Sequence, residues 1–300
     1  MMKNKKFFKK LILLIEAGLA YFTYYLFKLL PVDVSTAIGS FIGFHILGNI
    51  PLQRKREVIQ NIMKVFPNYS LEQASVLYKK SCSNFCSTIA QMPHILTLYK
   101  LQRVKVDDKY NVLPTIYNSN SLFFSAHTGN WEFIGYPFIA KPIKAKQYVI
   151  YKAPGNPYLV DLFATMRQYG FTHNMITLNK QIIIQLYTSF KKTPTNLIML
   201  VDQRIKEGIK VPFLGEIAYT SPILPMLAIK QHIPLIPLRS IKKNNKEFIV
   251  EIGKPVMLNE VESKLPESEQ IALLTTKMND VISNWVKEYP EQWFWLHRRW

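Results

Sequence analysis

The chain is poor in cysteine and in acidic side chains. It has 2 cysteines in 300 residues, Cys82 and Cys86, and 20 Asp and Glu against 38 Lys and Arg. Two cysteines cannot build a disulfide framework, and their i, i+4 spacing in a helix-like segment is ordinary core spacing. Neither has the second His or Cys pair that a zinc site needs, so the cysteines indicate a reducing compartment. Also missing are zinc-finger spacing, a glycine-rich RNA-binding aromatic motif and a discrete basic recognition helix, which argues against nucleic acid. What remains is a net charge of +18 with 13% aromatic residues, and 48% hydrophobic residues in all. Such a chain is neither disordered nor fibrous; it can bury one large core or two small ones. Its charge calls for an acidic partner, and mixed with aromatics it suits an anionic membrane surface better than nucleic acid.

The basic start, MMKNKKFFKK, leads into an apolar run from Leu11 to Phe27 that Glu16 interrupts. No small-residue cleavage site is clear, so the run reads as a membrane anchor and not a signal peptide. It matches the shortest spanning helices in length, but a glutamate is costly at membrane depth. It is therefore expected either to span, with its lysines drawn to the interfaces, or to lie in the headgroup region with a second apolar stretch, Val32 to Ile50. From Gln53 to Pro93 the pattern is helical, and Ser70-Leu71-Glu72-Gln73 resembles a capping box opening a second helix, so a helical hairpin packed on the core is expected. Alternation at Val104 and Val106 suggests a short edge strand. The expected divisions are 1–50 for membrane-anchoring helices, 51–100 for the hairpin and 101–300 for the main domain.

The main domain is organised around Ser121 to Phe138, an apolar strand-like run that stops at His127 and restarts as a helix near Trp131. On one continuous helix His127 and Glu132 would point about 140° apart. With Thr128-Gly129-Asn130 as a turn they can meet, and Glu132 could hold the imidazole in one tautomer for general-base work. Each residue also has a plainer explanation: the histidine as a satisfied strand-end group, the glutamate as favourable charge at a helix start. Beyond them strand-like and helix-like segments alternate. Lys144 to Tyr151 reads as a strand, Tyr151 to Pro157 as a loop, Tyr158 to Tyr169 as a helix ended by Gly170, and Met175 to Leu178 as a strand. Lys180 to Phe190 reads as a helix and Asn196 to Val201 as a strand ending on Asp202. This order predicts an α/β fold, a mostly parallel sheet flanked by helices, with His127 and Asp202 both at the carboxyl edge where ligands bind. Lys206 to Gly215 reads as a long cationic loop. A helix reaching Lys230, strands from His232 to Ile241 and Phe248 to Gly253, and a helix from Ser268 to Glu288 follow. The last eleven residues, PEQWFWLHRRW, are too rich in tryptophan and arginine for a plain tail.

His127 with four residues between it and Glu132, the Tyr151–Pro157 loop, Asp202-Gln203, Val211-Pro212-Phe213-Leu214-Gly215, and the terminal Pro290-Glu291-Gln292-Trp293 with Leu296-His297-Arg298-Arg299 resemble the lipid A biosynthesis acyltransferases. These are the late lauroyl and myristoyl transferases of the glycerolipid acyltransferase-like group. The resemblance covers nearly the whole chain, and the terminal pattern is its most specific part. It implies transfer of a fatty acyl chain from acyl carrier protein to a hydroxyl of a lipid A precursor, at the cytoplasmic face of the inner membrane. It further implies His127 as general base, Glu132 orienting it, and helix-start N–H groups near Asn130, with a cation, at the oxyanion. Asp202 would support the site; neither a metal, another cofactor nor an acyl-serine is called for. One position departs from the family pattern: Phe171 stands where an arginine is common, and Lys152, Arg167 or Arg204 could supply that charge. Other acceptors, a different glycolipid, phospholipid or aminolipid, fit the same site. The non-enzymatic reading is a protein that only binds anionic lipid.

Overall fold

The computed structural model describes residues 2–140, 144–167, 175–177 and 179–300. Tyr169, Gly170, Phe171 and Leu178, named above, lie outside them. The chain opens with helix α1 (Met2–Leu29), α2 (Val32–Phe41), α3 (Gln53–Val65) and α4 (Leu71–Gln91), followed by the short α5 (Ile95–Lys100). Then come β1 (Val104–Asp107), α6 (Leu113–Asn118), β2 (Ser121–Ser125), α7 (Tyr136–Ile139) and β3 (Lys146–Ile150). The remainder is α8 (Val160–Arg167), β4 (Met175–Ile176), α9 (Lys180–Lys192), β5 (Thr195–Leu200), β6 (Ile209–Phe213), β7 (Glu216–Thr220), α10 (Ile223–Gln231), β8 (Leu235–Lys242), β9 (Phe248–Ile252) and α11 (Glu267–Glu288).

Seven strands form one sheet in the order β1-β9-β8-β2-β5-β3-β4, with β1 at an edge as its alternation suggests. The pairings are parallel except between β8 and β9, so five strands run one way and two the other. Alternate residues of the central strands feed opposite cores: Leu122, Phe124, Leu197 and Met199 pack on one face, Phe123 and Ile198 on the other. The expected α/β fold with a mostly parallel sheet is therefore the one observed.

The expected cationic loop from Lys206 to Gly215 is instead half of a β-hairpin, β6 paired antiparallel with β7. Val211 faces inward opposite Ala218, with Phe213 and Thr220 buried on the same side, while Leu214 and Gly215 form a two-residue turn with φ of 53° and 86°. Both turn residues at positive φ match the strand twist of a tight hairpin. Counting cations and glycines hid this short alternation.

The helical hairpin is present as α3 and α4, and Ser70 and Gln73 bond reciprocally in the capping box. The second apolar stretch is fastened to it. Added Cβ atoms at Gly39 and Gly43 would collide with the backbone of Cys86 and Cys82, so the absence of side chains lets α2 and the following π-helical turn lie directly on α4. Buried Ser35 and Thr36 of α2 bond His94 and Gln91.

Helix α1 contains a segment, Phe7–Leu29, long and apolar enough to cross a membrane, and only 17% of its most apolar window is buried. One stripe, including Ala17, Tyr24 and Phe27, lies on the body; Phe8, Ile12, Ile15, Leu19 and Phe22 stay exposed on the rest.

Candidate active site

Sheet register brings the two strand-end residues together. Ser125 of β2 lies opposite Leu200 of β5, so two residues further along each chain His127 comes beside Asp202. The chain then leaves the strand at Gly129, whose φ is +56° and whose missing Cβ makes room for the Ser240 carbonyl. His127 is thereby kept out of the 3-10 turn Trp131–Gly135 that precedes α7.

The His127 Nδ1–H donates to Asp202 Oδ1 at 2.8 Å. Asp202 Oδ2 accepts from the His127 backbone N–H at 3.0 Å and from Trp293 Nε1 at 2.9 Å. The Asp202 carboxylate is fully buried, and burial alone would raise its pKa. His127, by charge and hydrogen bonds, and then His297 outweigh that and hold it well below the usual carboxylate range. Asp202 is thus an ionised acceptor with both oxygens engaged, and it fixes the tautomer that leaves Nε2 of His127 unprotonated. The Gln203 amide nitrogen stands 3.5 Å from that Nε2.

The arrangement corrects the expected pairing of His127 with Glu132. Trp131 stands between them, its ring edge-on to His127 at 5.2 Å between centroids and its Nε1–H donating to Glu132 Oε1 at 3.1 Å. Glu132 instead holds Arg167 at the end of α8: Nε lies 3.2 Å from each carboxylate oxygen and Nη2 3.0 Å from Oε1. The pair is nearly dry, with Glu132 2% and Arg167 19% exposed. Asn130 also differs from expectation. It is buried, its side chain accepting from the Glu132 N–H and donating to Gln91 Oε1, so its polar atoms support the turn from inside.

A cavity of about 630 Å³ opens at this edge of the sheet. His127, Glu132, Arg167 and Gln203 line one part of it, and Ile150, Met175, Met199 and Ile205 supply apolar wall. Lys152, Arg204 and Lys206 stand at its exposed rim. All three cations considered in place of an arginine at Phe171 therefore reach this cavity, and Arg167 is the one paired with a buried carboxylate.

The terminal residues form the back of the site, a role that composition hinted at without locating. Phe294 N–H donates to the His127 carbonyl and Gly129 N–H to that of Gln292, tying the tail to the turn. His297 Nε2–H donates to the Asp202 carbonyl at 2.9 Å, and burial pushes its pKa down to about 4. Arg299, buried with its pKa lowered to about 10 by desolvation, reaches Tyr219 and Thr220 of the hairpin.

A buried acid, an oriented imidazole with a free nitrogen and a cavity with apolar and cationic walls can remove a proton from a hydroxyl beside a fatty chain. Among solved structures, the 1-acyl-sn-glycerophosphate (LPA) acyltransferase PlsC from Thermotoga maritima aligns with a TM-score of 0.35 at 14% identity, over 87% of this chain and 96% of that one. No curated protein gave a match. Residues 1–300 match the family model for the bacterial lipid A biosynthesis acyltransferases. By that match over its whole length, the chain belongs to the bacterial lipid A biosynthesis acyltransferases and is an acyltransferase.

Proposed function

We propose that the protein moves a fatty acyl chain from acyl carrier protein to a hydroxyl of a lipid A precursor, with His127 as general base. The observation that carries this is the His127–Asp202 pair, its free Nε2 opening on a cavity walled by apolar side chains and cations. The acceptor hydroxyl gives its proton to Nε2 as its oxygen attacks the thioester carbonyl carbon. The tetrahedral intermediate collapses to the ester, and the departing thiolate takes the proton back from His127. Asp202 stabilises the transient imidazolium. Arg167, held by Glu132, and the rim cations Lys152 and Arg204 offer charge to the oxyanion and to the acceptor's phosphates. Acyl carrier protein is acidic and lipid A precursors are phosphorylated, so both partners suit a chain of net charge +18.

The proposed location is the cytoplasmic face of the inner membrane, with α1 lying in the interface. Bonds to α1 run from the Leu13 carbonyl, held by Asn156, to the Phe27 carbonyl, held by Ser35 and His94. That is about 21 Å of helix at 1.5 Å per residue, fastened side-on to the body. A helix attached over that length favours lying in the headgroup zone, since standing upright would carry the polar domain into hydrocarbon. The exposed aromatic and aliphatic face of α1, with Lys9 and Lys10 on the same helix, suits an anionic bilayer surface.

The test is transfer of a labelled acyl group from acyl carrier protein to a lipid A precursor. His127→Ala is expected to lower turnover at least about a thousandfold and Asp202→Asn about a hundredfold or more, with the circular dichroism spectrum unchanged. Wild-type turnover in His127→Ala would overturn the general-base reading. Transfer to an unrelated acceptor alone would overturn the choice of acceptor.

A further inference from the structure

Asn156 holds the amphipathic helix and the catalytic cavity at once. Its side chain is buried, and its two ends face different elements. Oδ1 accepts from the Tyr158 N–H at 3.0 Å and caps the 3-10 turn Pro157–Leu159 that leads into α8. Nδ2 donates to two groups on α1: the Leu13 carbonyl at 2.8 Å and Glu16 Oε2 at 3.3 Å. The residues just before it in the same loop, Tyr151 and Lys152, line the cavity. At the other end of α8, Arg167 grips Glu132 in the cavity wall. Between these ends Leu162 and Met166 of α8 pack with Tyr24 of α1 and Met92. Helix α8 is therefore fixed to α1 by one polar bond set at its start and one apolar cluster along its face, and Arg167 rides on it.

Glu16 otherwise has no reason to sit in the apolar run. A carboxylate there weakens membrane affinity, and a leucine would serve an anchor better. Accepting from Asn156 gives it a function that anchoring does not require. A charge-assisted bond is also stronger than a neutral one at a boundary of low dielectric.

We infer that Asn156 and Glu16 are positioning residues for acyl transfer: they latch α1 to α8 and so set Arg167 and the cavity wall against His127. This rests on the proposed catalytic reading of that cavity. Helix α1 is then part of the catalytic body as well as its contact with the membrane, and loosening the latch lowers turnover even where membrane attachment is irrelevant.

Asn156→Asp separates the two ends of the side chain. It is nearly isosteric and keeps the acceptor that caps Tyr158, but it removes the donor and sets a second carboxylate against Glu16. Pairing it with Glu16→Gln restores a side-chain bond with reversed polarity, the glutamine amide donating to the new carboxylate. Assays use the full chain with acceptor dispersed in neutral detergent. Asn156→Asp is expected to lower kcat about tenfold with KM for acceptor little changed, and the double variant to recover the part of that loss that Glu16 carries, the bond to the Leu13 carbonyl staying absent. Unaltered kcat in Asn156→Asp overturns the latch, and a loss that Glu16→Gln does not relieve at all overturns the part assigned to Glu16. If Asn156→Asp does not fold, Glu16→Leu at its exposed position carries the test, and wild-type kcat there overturns the proposal. His127→Ala in the same assay tells the two readings apart: its retained activity would refute the base while leaving the latch to be scored on its own variants.

Discussion

At the scale of single residues, the site depends on which carboxylate faces His127. Asp202 does, with both oxygens occupied, and Trp131 holds Glu132 apart from His127. Spacing along the chain could suggest Glu132 because the two residues are near in sequence. Asp202 was legible only as a residue at the same sheet edge; its partner follows from β2 and β5 being neighbours, a fact of strand order and not of local pattern. His297 has a consequence for stability. Its folded pKa of about 4 lies below the ordinary value of 6.5, chiefly from burial. The unfolded chain thus binds a proton that the folded chain refuses, and stability falls as pH drops from about 6.5 towards 4, by something on the order of 3 kcal/mol. Asp202, whose pKa is lowered, stays ionised in the folded chain across that window, and its own contribution begins to fade only at the acid end, near the ordinary Asp value of 3.8. Buried His94, also lowered, acts in the same direction as His297. In His297→Gln, where the amide can still donate to the Asp202 carbonyl, the urea midpoint should depend less steeply on pH than in the wild type between 6.5 and 4. Equal slopes would show that His297 does not carry this effect.

Elements with a strong period were readable, and those defined by a close approach were not. The amphipathic faces of α3, α4 and α11 and the capping box at Ser70 announce themselves because each is a local pattern. The apolar stretch from Val32 to Ile50 looked equally suited to lipid. Only contact distances reveal that its glycines bring it onto α4: a Cβ on Gly39 would lie 2.7 Å from the Cys86 carbonyl oxygen. Gly43 is tighter still, since its Cβ would meet the Cys82 carbonyl and the Ser83 backbone. Gly43→Ala is accordingly expected to destabilise the fold by about 1–3 kcal/mol. Gly18 on α1 has nothing within 4 Å of such a Cβ, and Gly18→Ala should leave stability unchanged or raise it by about 0.5–1 kcal/mol through helix propensity. Thermal denaturation of both variants checks the contrast, and equal effects would deny the close packing on α4 of the π-helical turn that follows α2. The β6–β7 hairpin was hidden for another reason: its strands alternate over few residues, and a proline within β6 reads as loop.

For the whole molecule, the terminal motif pointed to the family that the match over residues 1–300 shows, while the way α1 lies on the body depended on packing. The stripe of α1 that docks beside α8, the element carrying Arg167, leaves the opposite face of α1 free. A catalyst lying on a bilayer in this way meets its lipid acceptor by lateral diffusion, so the concentration it senses is a mole fraction in the surface and not an amount per volume. Adding inert anionic lipid to vesicles at constant protein and acceptor should then slow transfer roughly in proportion to the acceptor's dilution, once all the protein is bound. A rate that ignores such dilution would mean the acceptor is taken from solution. Where it holds, the activity of the protein is set by how crowded its own membrane is with acceptor, whatever the volume of the cell around it.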